Sequence, residues 1–205
     1  MAACQEVLLH MSDYHTSRWS GGTTTELAIA PQGSVYGERD FLWRLSSATV
    51  ELEESTFTPL ADYDRILMTL KGGIQLSHNQ GNWISLAEFE PHAFDGADET
   101  VSIGKVTDFN LMLRKDRCRG FLLPLRMEKG ETLDLRGALA FDMPEYEELL
   151  IYCYQGELTV TAEAGRSFYL QKGDTLKLSG ELKEKNWFCK ANQHTLAVIS
   201  TIHYC

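Results

Sequence analysis

The sequence predicts an all-β protein built as two barrels, and three observations carry that reading. Short runs of β-branched, aromatic and aliphatic residues recur at regular intervals, punctuated by glycine and polar turns. No window of useful length has a helical period; the helical candidates are short, for example 144–148. The chain also repeats itself. Residues 65–70, Gly72-Gly73 and 74–77 are mirrored by 149–154, Gly156 and 158–161, and the run 108–114 has a counterpart at 194–202.

Taken in order, residues 8–14 predict a short first strand. Trp19-Ser20-Gly21-Gly22 then predicts a tight turn or a close backbone approach, and the threonines after it favour a strand. Gly21-Gly22-Thr23 is no phosphate loop, because neither the lysine nor the following helix is present. Residues 32–40 read as a loop and 41–52 as an alternating strand. Trp43, Leu45 and Ser47 share one face of it; Arg44, Ser46 and Ala48 share the other. Arg44 is either a surface charge or an inward group facing an acid or an anionic ligand. A polar connection at 51–58 leads to strands at 65–70 and 74–78, which with their glycines resemble a hairpin. Short strands follow at 83–86, 91–96 and 101–103. In the second half, 168–170, Gly173-Asp174 and 175–178 predict a further hairpin. Gly173-Asp174-Thr175 between two strands is a frequent turn in the cupin group of jelly-roll barrels. The expected architecture is a bicupin: two cupin-like barrels in one compact unit, the first over 1–118 and the second over 119–205.

The stretch 106–115, V-T-D-F-N-L-M-L-R-K, stands out. On a strand, Phe109, Leu111 and Leu113 form an ordinary core face, while Asp108, Asn110, Met112 and Arg114 line up on the other. That face is either turned to water or lines a polar pocket inside a barrel. Arg44, Ser46, Arg65, Asp108, Asn110 and Arg114 converge if their strands are neighbours. Arginines then orient a carboxylate, and Asn110 reads an amide or hydroxyl. The alternative is an internal salt-bridge network.

Composition narrows the function. The chain has 205 residues, 43% of them apolar, and a formal net charge of -10. An acidic surface repels nucleic acid and anionic membrane, so neither is an expected partner. No apolar run reaches the roughly 20 residues of a membrane helix, and residues 1–10 lack a secretory pattern, so the expected setting is cytoplasmic. Five cysteines without C-x-x-C suggest neither a disulfide framework nor a zinc knuckle. The six histidines form no H-x-H, so no cofactor or metal is expected, although His78 and His92 stand near where a cupin metal site begins. G-x-S-x-G is absent. The pairs Glu53-Glu54 and Glu147-Glu148 would point to opposite sides of a strand and read as solvated.

Several separated blocks resemble the HutD/Ves family of bicupin proteins. They are W-S-G-G-T-T-T-E at 19–26, F-L-W-R-L-S-S-A-T-V at 41–50, the block from Phe57 through Arg65 to Gly73, Phe94-Asp95-Gly96, and D-F-N-L-M-L-R at 108–114. The resemblance implies a metal-free bicupin with a small-molecule pocket in the first half, tied to histidine utilisation or stress response. Its implied ligand-binding residues are Thr24, Glu26, Arg44, Arg65, Asp108, Asn110 and Arg114, its implied partner a small anionic metabolite. Ser20 and Thr25 stand where better-known members carry Asn and Arg. A homodimer is left open, and a cupin isomerase or hydrolase, with Asp108 or His92 as proton carrier, is the alternative function.

Overall fold

In the computed structural model, which describes residues 4–139, 147–163, 165–180, 182 and 186–205, the repeat read from the sequence becomes two pairs of sheets. Nineteen strands form among the described residues. One compact unit comprises 14–119 with Cys205; the other comprises 4–13 with 120–204. Each unit pairs a larger sheet with a four-stranded one, and the protein is an all-β bicupin.

In the 14–119 unit, a six-stranded sheet runs β2 (His15–Trp19), β3 (Gly22–Ala30), β4 (Trp43–Val50), β11 (Val106–Arg114), β6 (Tyr63–Lys71), β9 (His92–Asp95). Its partner sheet runs β5 (Glu54–Thr56), β10 (Thr100–Ile103), β7 (Ile74–His78), β8 (Ile84–Leu86). In the other unit, a five-stranded sheet runs β1 (Gln5–Leu9), β17 (Thr175–Ser179), β14 (Glu148–Gln155), β19 (Thr195–Tyr204), β12 (Cys118–Met127). Its partner sheet runs β13 (Thr132–Asp134), β18 (Trp187–Ala191), β15 (Glu157–Ala162), β16 (Ser167–Gln171).

Three expectations change. The first strand lies at Gln5–Leu9, not 8–14, and it pairs antiparallel with β17. Residues 4–13 therefore belong with the second half, and the expected first barrel at 1–118 gives up its first strand. The predicted hairpins are corners. β6 and β7 lie in different sheets, as do β14 and β15, and β16 and β17. At these three places the glycine between two apolar runs turns the chain out of one sheet of the jelly roll into the other. Finally, residues 144–146 of the helical candidate lie outside the described residues, and Glu148 opens β14; the described α-helix is α1 (Leu135–Leu139). Glu148 is also not solvated: it is buried against Lys177 Nζ at 2.7 Å and the Tyr204 hydroxyl.

The corners are conformationally demanding. Gly72 has φ +83°, and a Cβ there would lie 2.8 Å from the Lys105 carbonyl; Gly156 has φ +89°, with the His194 carbonyl 2.4 Å away. Gly156→Ala is expected to cost about 2 kcal/mol or more in a urea titration, since it combines a left-handed conformation with a backbone clash.

The units differ in what fills them. The 4–13/120–204 unit packs an apolar cluster that includes Ile151, Cys153, Val160, Leu176, Trp187 and Ile199. Each such side chain, fully buried, contributes about 1.5–3 kcal/mol. Burial pushes the Cys153 thiol up to about 12, so it stays an uncharged packing group. None of the five cysteines is in a disulfide. In the 14–119 unit the described apolar clusters are smaller. One gathers Val50, Leu67, Ile74, Leu76, Leu86 and Val106; another gathers Phe41, Leu60, Tyr63 and Met112. A polar cavity touches members of both.

Candidate ligand cavity in the 14–119 unit

Strand register builds this cavity. Side chains directly opposite one another on adjacent strands share a face. β11 lies between β4 and β6, and β3 lies beyond β4. Asp108 is therefore in line with Ala48, Thr24 and Thr69. Asn110 is in line with Ser46, Glu26 and Leu67. Met112 is in line with Arg44 and Arg65. Three successive rungs thus present polar groups from two or three strands to the interior. The opposite face of β11 (Phe109, Leu111, Leu113) is also buried, so β11 is buried on both faces.

The cavity measures about 400 Å³. Of the residues singled out in the sequence, Thr24, Arg44, Arg65, Asp108 and Asn110 line it. Glu26 acts one step back: its Oε2 accepts a hydrogen bond from Arg44 Nε at 2.7 Å, while Arg44 Nη1 donates to Ser46 Oγ at 3.1 Å. Arg44 is 6% exposed, so Glu26 neutralises a buried cation and aims it. Glu26→Ala is expected to destabilise the fold by about 1–3 kcal/mol in chemical denaturation, because it leaves that cation short of its counter-charge.

Arg114 is placed differently from expectation. At the end of β11 its cross-strand neighbour is Tyr63, not Arg65. Its Nη1 donates to the Arg39 carbonyl at 2.9 Å and the Tyr63 hydroxyl at 3.0 Å, and the cavity wall does not include it. It braces the connection between β3 and β4. That connection was expected to be a plain loop, yet it holds a 3₁₀ turn, Tyr36–Glu38, and Tyr36 lines the cavity. The Tyr36 ring sits 4.4 Å from the Arg44 guanidinium carbon and 4.1 Å from that of Arg39. Tyr36 and Phe57 are wall residues that sequence reading missed as ligand groups. Phe57 was at least legible as the start of a family block; Tyr36 had no signal.

Arg65 and Asp108 have unusual electrostatics. Arg65 is 4% exposed, with Phe57 4.7 Å and Phe94 5.3 Å from its guanidinium carbon. Burial lowers its pKa to about 10, with nearby Arg44 and Arg39 acting in the same direction. Its Nη1 reaches only the Thr58 carbonyl, at 3.4 Å, and its buried Nε has no partner. Asp108 is 6% exposed, and burial raises its carboxyl to about 6 against the partial relief of the Ala48 amide, which donates to Oδ1 at 3.1 Å, and of Arg65 and Arg44. Asn110, 4% exposed, has a buried Oδ1 with no partner. A buried donor and a buried acceptor are thus unsatisfied on one cavity wall, where each costs about 1–3 kcal/mol.

The donor set does not suit a cation here: two guanidiniums flank a single carboxyl. Elsewhere in the same barrel His78 and His92 meet, with Nε2 atoms 3.0 Å apart. Among the described residues, no three His, Cys, Asp or Glu side chains are grouped to hold a metal ion. No helix of the described residues is long and apolar enough to cross a membrane.

Comparisons with known proteins agree with this architecture. Protein Ves of Cronobacter sakazakii (strain ATCC BAA-894) is 32% identical over 107 residues, covering 50% of this chain and 56% of Ves. The chain thus spans about half the length of that curated relative. A conserved protein of unknown function, PA5104, from Pseudomonas aeruginosa PAO1 superposes with a TM-score of 0.80 at 25% identity, over 97% of this chain and 98% of that one. HutD from Pseudomonas fluorescens SBW25 superposes with a TM-score of 0.73 at 21% identity, over 98% of this chain and 100% of that one. The HutD family model matches residues 11–197, and the chain belongs to the HutD family.

Proposed function

We propose that the cavity binds a small carboxylate that also carries an N–H or O–H group, and that the protein is a cytoplasmic, metal-independent sensor or modulator. The observation that carries this reading is the pairing of orphaned atoms, Arg65 Nε and Asn110 Oδ1, on one wall. A ligand carboxylate satisfies the donor and neutralises Arg65; a ligand donor satisfies Asn110. The volume, about 400 Å³, suits a metabolite rather than a polymer. Family membership supports a link to histidine utilisation or to stress response as the physiological setting. A thermal-shift screen of small carboxylic acids, including intermediates of histidine breakdown, tests the reading. At least one acid should stabilise the protein by about 2.7 kcal/mol at 100 times its dissociation constant. No stabiliser in such a panel would refute it.

A second reading, a cupin isomerase or hydrolase, has one observation in its favour. Asp108 titrates at about 6, within the range of a working acid–base group. Turnover of a bound acid that Asp108→Asn abolishes while binding survives would select it.

A further inference from the structure

We propose that His78 and His92 form a one-proton latch between the two sheets of the 14–119 barrel, and that a second proton opens it and weakens ligand binding in mildly acidic solution. The inference concerns regulation of the cavity and rests on reading that cavity as a carboxylate site. His78 ends β7 in the four-stranded sheet; His92 begins β9 at the edge of the six-stranded sheet. Their Nε2 atoms are 3.0 Å apart, with the rings 19° from parallel, so the contact spans the two layers.

Proton bookkeeping makes the pair directional. His78 Nδ1 lies 2.8 Å from Thr100 Oγ1, and the Thr100 hydroxyl donates to the Asp98 carbonyl at 3.3 Å. In the proposed latch the Thr100 oxygen accepts from His78, with the His78 proton on Nδ1 and a lone pair on Nε2. His92 then donates from its own Nε2. One added proton settles on His92 Nδ1 and strengthens the N–H···N bond by charge. A second proton has only His78 Nε2 left to occupy. Two N–H groups then face each other between two cations, and the contact breaks.

Phe94 connects the latch to the cavity. It sits two residues after His92 on the same face of β9, opposite Arg65 in register. Its ring centroid lies 4.7 Å from that of His78 and 5.9 Å from that of His92, while the Arg65 guanidinium carbon lies 5.3 Å from it. Movement of β9 therefore reaches the cation directly. Other groups around the pair do not cancel the effect. β6 opposes His92 with Leu67, and β10 opposes His78 with Thr100. Asp98 favours the His78 cation, and Asp95 on β9 is held by Lys115 at 2.5 Å. Burial, then the neighbouring His92, outweigh Asp98 and lower the His78 pKa below the ordinary 6.5. Asp108 also titrates in this barrel, so the test must separate the two.

Two-dimensional NMR of the ¹⁵N-labelled protein can do so, following both imidazoles and the Arg65 Nε–H from about pH 7.5 to 5. The two rings should titrate in coupled steps, and exchange of the Arg65 Nε–H with water, taken relative to that of a free arginine side chain at the same pH, should rise about threefold or more through the lower one. The Arg65 response should vanish in His92→Phe and His92→Gln and persist in Asp108→Asn. An Arg65 signal that ignores the histidine step, that responds equally in both His92 variants, or that loses its response in Asp108→Asn overturns the latch. Sodium acetate serves as the probe carboxylate. In Asp108→Asn, whose side chain does not titrate, acetate binding at pH 7.5 that weakens about threefold or more at pH 5.5 supports the coupling, and equal binding at both pH values overturns it. Acetate that moves Arg65 at neither pH counts against the carboxylate reading alone, because the Arg65 pH response is read without ligand.

Discussion

Arg65→Ala is expected to abolish the stabilisation that a small carboxylate confers, with little loss of stability in the unliganded protein. The two effects separate because Arg65 is a poorly satisfied buried cation. Its guanidinium has one long hydrogen bond to a carbonyl and packs beside two aromatic rings, and its pKa is lowered to about 10 by burial. Removing it loses packing against Phe57 and Phe94 but also removes a desolvated charge with few hydrogen bonds. In the complex the balance reverses. A charge-assisted contact in a low-dielectric cavity contributes about 1.5–3 kcal/mol, so the dissociation constant should rise about tenfold to more than a hundredfold. Thermal shifts at several ligand concentrations, with urea titrations of the unliganded variant, measure both. A variant that binds as tightly as the parent would remove Arg65 from the site.

Asp108→Asn is expected to stabilise the protein in neutral and alkaline solution and to have little effect in acid. In the fold the Asp108 carboxyl is raised from 3.8 to about 6, chiefly by burial. The folded state therefore holds a proton that the unfolded chain releases. This contribution to stability is full below pH 3.8 and is lost as pH rises through about 6. Above that, keeping the charge buried costs about 3 kcal/mol at most, at 1.36 kcal/mol per pH unit. Asparagine keeps an oxygen for the Ala48 amide and carries no charge, so the difference between variant and parent should grow between pH 4 and pH 7. Urea midpoints across that range test it; a constant difference would mean that Asp108 does not titrate abnormally. A gain of stability from losing a polar group is the signature of a residue kept for function.

Much of this site was legible because strand geometry is periodic. The alternation in 106–115 placed Asp108, Asn110 and Met112 on one face, and the alternation in 41–52 did the same for Arg44 and Ser46; both faces line the cavity. The glycine punctuation and internal repeat were sufficient for the two-barrel architecture. The hairpins were misread because a glycine with positive φ marks a change of direction without saying whether the next strand returns to the same sheet. Arg114 was misassigned for a related reason. Alternation gives the face but not the depth along the strand, and at the last residue of β11 the carbonyl of Arg39 and the hydroxyl of Tyr63 take the guanidinium.

The sequence by itself determined the fold class, the family, and which strand faces carry polar groups, because each depends on residue type and local spacing. The tertiary structure alone decided what those groups meet. It assigned β1 to the second half, brought Tyr36 and Phe57 to the cavity, left Arg65 Nε and Asn110 Oδ1 buried without partners, and joined His78 to His92 across two sheets. Each of these depends on a pairing or packing contact between segments distant in sequence, and no local pattern of residues encodes such a contact.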